Sequence, residues 1–269
     1  MNVSIVLYNT DQEQLAKLLL CLTQSSIVEN IFLIDNSPSP LDKNYRERFS
    51  KVVYIFTGKN LGYGAAHNIA LRQSLAAETD FHLVVNPDII FLPQILEQMQ
   101  QFMLLHPQVA LLSPRVLSPD GQLQYLAKKL PHPFDLLLRR FLPQSVGKKR
   151  RDDFCLVSTG YDKTMNVPYL TGCFMFLRLS ALEQVGLFDE RYFMYPEDID
   201  LTRRLHTRFL TLYYPHATVI HDHERASYKN LKMLVIHMVN ICRYFNKWGW
   251  IFDAERDRFN LSAGEPYFN

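Results

Sequence analysis

The sequence lacks any apolar run of the roughly 20 residues that cross a bilayer as a helix. It also lacks paired cysteines. Cys21, Cys155, Cys173 and Cys242 are scattered with no CxxC spacing, so neither a zinc knuckle nor a disulfide framework is suggested. Free thiols in a reducing cytosol are the expectation. No basic n-region precedes the first apolar residues, and Asp11 arrives early, so the N-terminal stretch is not read as a signal peptide. Internal repeats and low-complexity tracts are missing. Neither sign of charge dominates: 29 Lys and Arg face 27 Asp and Glu, net +2, so global charge names no partner. What remains is an ordinary globular composition, 48% hydrophobic and 21% charged over 269 residues, with ample material for a core.

Short β-rich runs at 3–8, 31–34, 52–56, 81–85 and 109–112 alternate with helical patterns. The first predicted helix follows a cap at Thr10 or Asp11 and carries Leu15, Leu18, Leu19 and Leu22. Further helices are predicted over about 65–77 and after Pro93. This alternation implies an α/β fold around a mostly parallel sheet. The near-continuous apolar strands imply helices on both faces. Ligands of such sheets bind outside the carboxyl ends of the strands. Here those ends read Tyr8-Asn9, Asp35-Asn36, Asn60 and Asn86-Pro87-Asp88, a polar rim along one edge.

The stretch Asn60-Leu-Gly62-Tyr-Gly64-Ala-Ala-His67-Asn68 imitates a dinucleotide fingerprint and fails it. His67 occupies the third glycine position, and the motif follows the third strand rather than the first. A Walker lysine is absent too. The glycines instead allow close backbone approach at a helix N-terminus, where an anion or nucleotide binds readily; a plain strand-to-helix turn would use the same residues. Asp88 is a candidate ligand for Mg²⁺ or Mn²⁺, which take one or two carboxylates plus substrate phosphates. A lone turn Asp equally serves the turn itself.

The densest chemistry lies at 186–205. Tyr192, Phe193, Met194 and Tyr195 run into Pro196, and then Glu197, Asp198 and Asp200 open a helix continued by Ile199, Leu201 and Leu205. The helix dipole favours anions in that turn and is expected to keep a carboxylate ionised. Such a group beside aromatic walls can act as general base toward a hydroxyl. An acidic first turn that only stabilises its helix has the same appearance. Residues 167–177 form a further predicted strand interrupted at Thr171-Gly172, where glycine can mark a ligand's approach. His221, at a later strand end, can complete a metal site with Asp88 or be structural.

Residues 128–151 are basic: Lys128, Lys129, Arg139, Arg140, Lys148, Lys149, Arg150 and Arg151 stand against Asp135 alone. Phe134, Leu136, Leu137, Leu138, Phe141 and Leu142 are interleaved, which suggests contact with an anionic membrane surface. A solvated insertion is the alternative. No nucleic-acid recognition motif accompanies the segment, so no nucleic-acid partner is expected. A helical tail follows from Tyr228 to Phe252, suited to a membrane surface or to docking on the body. The expected organisation is a domain over 1–225, including the basic insertion 128–151, and a C-terminal helical extension over 226–269.

Taken together, Ser4-Ile-Val-Leu-Tyr8-Asn9, Ile34-Asp35-Asn36-Ser37, the 60–68 stretch, Asn86-Pro-Asp88, Thr171-Gly172, Pro196-Glu-Asp-Ile-Asp200-Leu201 and His221 resemble the inverting, nucleotide-sugar-dependent glycosyltransferases of family 2. In style the chain is similar to rhamnosyltransferase-like enzymes of bacterial surface polysaccharide assembly. The resemblance covers residues 3 to about 248 and implies a GT-A fold. It implies a donor pocket from Tyr8, Asn9, Asp35, Asn36, Asn60, Gly62, Asn68, Asn86 and Asp88, with Asp198, or Glu197 beside it, as catalytic base. Thr171, Gly172 and Tyr195 would border the acceptor. Asn86 replaces the first acid of the family's Asp-X-Asp pattern, so Mg²⁺ or Mn²⁺ binding would rest on Asp88 with His221 or its neighbour His223. The implied donor is dTDP-rhamnose or a UDP-hexose, the implied acceptor a polyprenyl-diphosphate-linked saccharide. The implied location is cytoplasmic, peripheral at the inner face of the cytoplasmic membrane. A non-catalytic nucleotide-sugar-binding or scaffold protein of the same fold is the alternative.

Overall fold

The computed structural model describes residues 1–42, 48–135, 147–222 and 231–267. Leu136 to Leu142 of the basic segment, His223, the start of the tail at Tyr228 and the 225/226 boundary lie outside the described residues. The first half alternates as expected: β1 (Asn2–Leu7), α1 (Gln12–Gln24), β2 (Asn30–Asp35), β3 (Val52–Phe56), α2 (Tyr63–Ala76), β4 (Phe81–Val85), β5 (Ile89–Ile90), α3 (Gln94–Leu105) and β6 (Val109–Leu117). The second half carries β7 (Ala127–Lys128), α4 (Lys148–Phe154), β8 (Met165–Asn166), β9 (Tyr169–Leu170), β10 (Phe174–Arg178), α5 (Leu179–Val185), α6 (Glu197–His206), β11 (Leu210–His221), α7 (Leu231–Trp248) and α8 (Ala254–Ser262).

The main sheet runs β3-β2-β1-β4-β10-β6-β11-β5, with β8 on β11. β1 pairs in parallel with β2 and β4, β2 with β3, and β6 with β11. β10 lies antiparallel between β4 and β6, so the long strands on both sides of it share one direction. Register brings Leu7, Asp35 and Phe56 level, which places the polar strand ends on one edge. Residues 167–177 are not one strand. They split at Thr171-Gly172 into β9, paired with β7 in a separate ribbon, and β10 in the main sheet.

Period-two alternation sorts the strands' side chains between two faces. Val3, Ile5, Leu7, Ile31, Leu33, Phe81, Leu83 and Val85 join α1 and α3 in one core. Phe32 and Ile34 meet Ala66 and Ala70 of α2 on the other face, where Val84 and Leu111 pack with α5 and with Leu201 and Leu205 of α6. Each such buried aliphatic or aromatic side chain contributes about 1.5–3 kcal/mol. Asp11 is the α1 cap, its carboxylate accepting Gln14 N–H at 2.8 Å.

The tail is two helices rather than one. Gly249 (φ +104) ends α7, and a Cβ there would lie 2.6 Å from Phe252 O. α7 docks on the body through Ile241, Tyr244 and Phe245. Among the described residues, no helix is long and apolar enough to cross a membrane.

The glycine stretch before α2 works by close approach. Gly62 has φ +87, and a Cβ on it would sit 2.2 Å from Phe193 O, the carbonyl that accepts Tyr63 N–H at 3.0 Å. Gly64 likewise lies against Phe188. The loop therefore locks to the segment leading into the acidic helix. Gly62→Ala should combine a backbone clash with a disfavoured φ and cost about 2 kcal/mol or more. Urea unfolding should show a lower midpoint at unchanged m-value.

Candidate active site

The three acids opening α6 part company in the folded chain. Tyr195 takes φ +74, an uncommon conformation outside glycine, and its carbonyl accepts Glu197 N–H. Pro196 then caps the helix without a side-chain bond. Asp200 turns inward and is fully buried: Trp248 Nε1 donates to its Oδ1 at 2.8 Å, and Arg204 Nε to its Oδ2 at 2.8 Å. It fastens α7 to α6. One turn further along α6, Arg203 forms a two-pronged pair with Asp253, both bonds 2.7 Å.

Asp198 points toward the sheet. Its Oδ2 accepts Gly172 N–H at 3.0 Å, and its Oδ1 accepts Ile199 N–H at 2.8 Å. Gly172 fits tightly here: a Cβ would lie 3.2 Å from Asp198 Cβ and 3.4 Å from the Tyr63 ring. Burial raises Asp198 above the usual carboxylate range, while the Gly172 N–H and the Lys128 ammonium pull it back. Glu197 is pushed well above that range by burial and then by the Asp198 charge, and among the described residues its Oε2 has no hydrogen-bond partner. The helix dipole is therefore outweighed by desolvation, against the expectation that an acidic first turn stays readily ionised. Backbone N–H groups favour the ionised form of both, Gly172 and Ile199 on Asp198 and its own N–H on Glu197. Burial still raises both carboxyls, Glu197 further than Asp198.

Tyr63 ties this centre to the strand ends. Its hydroxyl donates to Gly172 O at 2.7 Å and lies 3.1 Å from Asn86 Oδ1. Burial, then Cys173, Glu197, Asp198 and Asp88, hold its proton on. Beyond Tyr63, Asp88 Oδ1 lies 3.3 Å from His221 Nε2. Gln124 grips this histidine twice, its Oε1 3.1 Å from Nδ1 and its Nε2 donating to the His221 carbonyl at 2.9 Å. Partnering Nδ1 leaves Nε2 facing Asp88, the orientation that suits an imidazole ligand. A carboxylate and an imidazole directed at one point fit Mg²⁺ or Mn²⁺. Among the described residues no third His, Cys, Asp or Glu joins them, so substrate oxygens would complete the coordination.

The donor-edge residues divide. Tyr8 is half exposed, and Asn9, at φ +50, donates its N–H to Ser37 Oγ at 2.9 Å. Asp35 is buried and fully engaged, accepting Ser37 N–H, Leu41 N–H and the Tyr54 hydroxyl. Asn36 donates to Asn60 Oδ1 and to Gly62 O, and Asn60 Oδ1 accepts Gly62 N–H. These residues build one continuous rim. Asn68 stands apart from it: buried, it binds both backbone polar groups of Phe188 and the Glu190 carboxylate. Tyr195 stacks edge-on against His237 of α7, ring centroids 4.4 Å apart.

Sequence reasoning missed Tyr63, Gln124 and Lys128 as site residues. Tyr63 and Gln124 sit in stretches of no distinctive charge. Lys128 was grouped with the basic membrane segment, yet it is 4% exposed, 3.3 Å from Thr171 Oγ1 and over the Tyr169 ring. Its neighbours are also less free than the composition implied: Lys129 pairs with Asp153, Lys148 with Asp152 and Arg150 with Asp135.

A family model described as "Glycosyltransferase like family 2" matches residues 43–239. The chain belongs to this family. It is 26% identical over 267 residues to Rhamnosyltransferase WbbL of Escherichia coli (strain K12), covering 95% of this chain and 97% of that protein. It is 32% identical over 191 residues to N-acetylglucosaminyl-diphospho-decaprenol L-rhamnosyltransferase of Mycobacterium tuberculosis (strain CDC 1551 / Oshkosh), covering 65% of this chain and only 60% of the relative. The solved structure of GalNAc-T7 with UDP, GalNAc and Mn²⁺ superposes with a TM-score of 0.65 at 13% identity, covering 93% of this chain and 50% of that one. At that identity the likeness shows the fold, which is GT-A. In this family 2 member the acid helix and the Asp88–His221 pair flank one half-buried tyrosine, Tyr63.

Burial alone would lower His221, but Asp88 and then Cys173 outweigh it, and its pKa rises from 6.5 to about 10. The folded-state value is the higher one, so this pair contributes stability in full below about pH 6.5, and the contribution is lost as pH rises through about 10. Metal-free protein should lose urea stability between pH 7 and 10, and His221→Gln should flatten that part of the curve.

Proposed function

We propose that the chain is an inverting glycosyltransferase, moving a sugar from a nucleoside diphosphate to a hydroxyl of a lipid-linked saccharide in surface polysaccharide assembly. The observation that carries this reading is the placement of Asp198, buried, doubly hydrogen-bonded and still with a free lone pair on each oxygen, across Tyr63 from Asp88 and His221. Both relatives are rhamnosyltransferases by name, which favours dTDP-rhamnose over a UDP-hexose as donor. The decaprenol in the mycobacterial relative's name supports a polyprenyl-diphosphate-linked acceptor.

In this reading the polar rim from Tyr8 through Asn60 receives the nucleoside, and the diphosphate lies toward Asn86 and Asp88. Asp88 and His221 would hold Mg²⁺ or Mn²⁺, which supplies positive charge to the departing diphosphate. Asp198 takes the proton of the acceptor hydroxyl as its oxygen bonds to the anomeric carbon. The carbon–oxygen bond to the diphosphate breaks on the opposite side, and the anomeric centre inverts. A raised pKa suits Asp198 to this work, because a base nearer neutrality accepts the proton more readily. Thr171, Gly172 and Tyr195 border the acceptor side.

Asp198→Asn should lower kcat by about 10²–10⁴-fold while donor affinity, read by calorimetry, stays within error. EDTA should stop the wild-type enzyme, and Mn²⁺ or Mg²⁺ should restore it. Near-normal turnover by the variant removes Asp198 from the base role, and indifference to chelation removes the metal from Asp88 and His221.

The reading also places the catalytic body over 1–225 with 226–269 as its extension, at the inner face of the cytoplasmic membrane. Exposed Ile251 and Phe252, at the turn between α7 and α8, and exposed Phe134 near α4 support contact with a bilayer. The protein should sediment with anionic vesicles at low salt and leave them at high salt. Absence of binding at low salt removes the peripheral location.

A further inference from the structure

We infer that His67 is a positioning residue for the proposed transfer: a buried chain of hydrogen bonds sets its ring as the Nε2–H tautomer, and that ring holds Tyr63 between Gly172 and Asn86. It acts through Tyr63 and not on substrate. The inference rests on the transfer reading above, in which the base side lies at Gly172 and the metal side beyond Asn86.

Side chains from β1, β2, β4 and α2 make the chain. Asn30 Nδ2 donates to Asn2 Oδ1 at 3.1 Å, and Asn2 Nδ2 donates to Ser74 Oγ at 3.1 Å. Ser74 Oγ lies 2.8 Å from His82 Nδ1, and His82 Nε2 lies 2.8 Å from Ser4 Oγ. Ser4 Oγ in turn lies 2.7 Å from His67 Nδ1. Asn2, Ser4, His67, Ser74 and His82 are all buried. The amide end gives the chain its direction. Ser74 Oγ accepts from Asn2, so its own proton goes to His82 Nδ1. Burial keeps both imidazoles neutral, lowering His82 to about 3 and His67 well below its ordinary value. A neutral His82 that accepts at Nδ1 carries its proton on Nε2 and donates it to Ser4. Ser4 then gives its hydroxyl proton to His67 Nδ1, which leaves the His67 proton on Nε2.

Aromatic rings receive the end of the chain. Among the described residues His67 Nε2 has no hydrogen-bond partner. Its ring meets the Tyr63 ring edge to face, centroids 4.4 Å apart, with the Phe188 ring centroid 6.1 Å away. An N–H is tolerated against aromatic faces, whereas the reverse direction would bury a bare nitrogen lone pair there. Tyr63 and His67 lie one turn apart on α2, so a ring fixed at 67 restrains the ring at 63. Tyr63 is only half-buried, and His67 and Phe188 pack against it. The hydroxyl of Tyr63 meets Gly172 O and Asn86 Oδ1. A tilt of this ring shifts the Gly172 turn, whose N–H holds Asp198 Oδ2.

The test reads the tautomer and the coupling. NMR of ¹⁵N-histidine-labelled wild type should show His67 protonated on Nε2, its signals being those missing from His67→Asn. Asparagine keeps an oxygen that can accept the Ser4 hydroxyl and removes the ring. His67→Asn should lower kcat about tenfold or more, with donor KM unchanged. In a Tyr63→Phe background, which lacks the hydroxyl, the same substitution should change kcat little. Should His67→Asn lack a cooperative melt, His67→Gln makes the same comparisons. A proton on Nδ1, an unchanged kcat, or losses that multiply independently in the double variant overturns the inference. Lack of any sugar transfer by the wild type would instead overturn the functional reading and leave the tautomer result standing on its own.

Discussion

A single buried helix start sets the terms for this protein. The first turn of α6 puts three carboxyl groups where water does not reach, and a buried charge must be matched or neutralised. Each acid meets that demand differently. Asp200 takes indole, guanidinium and ammonium partners from α6 and α7. Asp198 takes two backbone amides and a nearby lysine. Glu197 is held well above the usual carboxylate range by that burial. The same penalty that makes the turn expensive divides its members into a strut, Asp200, and two carboxyls that burial raises above the usual range.

The surrounding fold is arranged to make those matches possible. β10 must lie antiparallel beside β4 for Gly172, at its approach, to reach α6 and for Cys173 O to accept Asn86 N–H. Gly62 and Gly64 each sit where a Cβ would collide with a neighbouring segment, and Gly172 where one would be tight against Asp198. Their shared property is absence of bulk, which lets the strand-edge loops and the 188–198 segment close on one another. Tyr63 fills the centre of that closure, and its hydroxyl links Asn86 on the strand-end rim to Gly172 beside Asp198. A GT-A sheet supplies the edge, and these contacts turn the edge into a site.

Much of the fold was legible. Strand and helix patterns repeat every 2 and 3.6 residues, a local signal that needs no knowledge of distant contacts. The strands at 52–56 and 81–85 fall where the pattern puts them. The 167–177 run misled, because a continuous apolar stretch does not reveal that its halves join different sheets. The tail misled at Gly249, where one positive φ ends a helix that composition would continue. Counting charges over 128–151 stops just short of Asp152 and Asp153, which pair with Lys148 and Lys129, so the segment's balance is less basic than that window shows.

By itself, the sequence determined the layered α/β architecture, the polar strand ends and the presence of an acidic helix start, since each is written in neighbouring residues. Tertiary structure alone decided which acid faces Gly172, which is bound by Trp248, that Asn68 props the 188–190 segment, and that Lys128 turns inward beside Thr171. Those outcomes depend on groups brought together from far apart in the chain. Burial, which raises the pKa of Glu197 and Asp198, exists only once they have met.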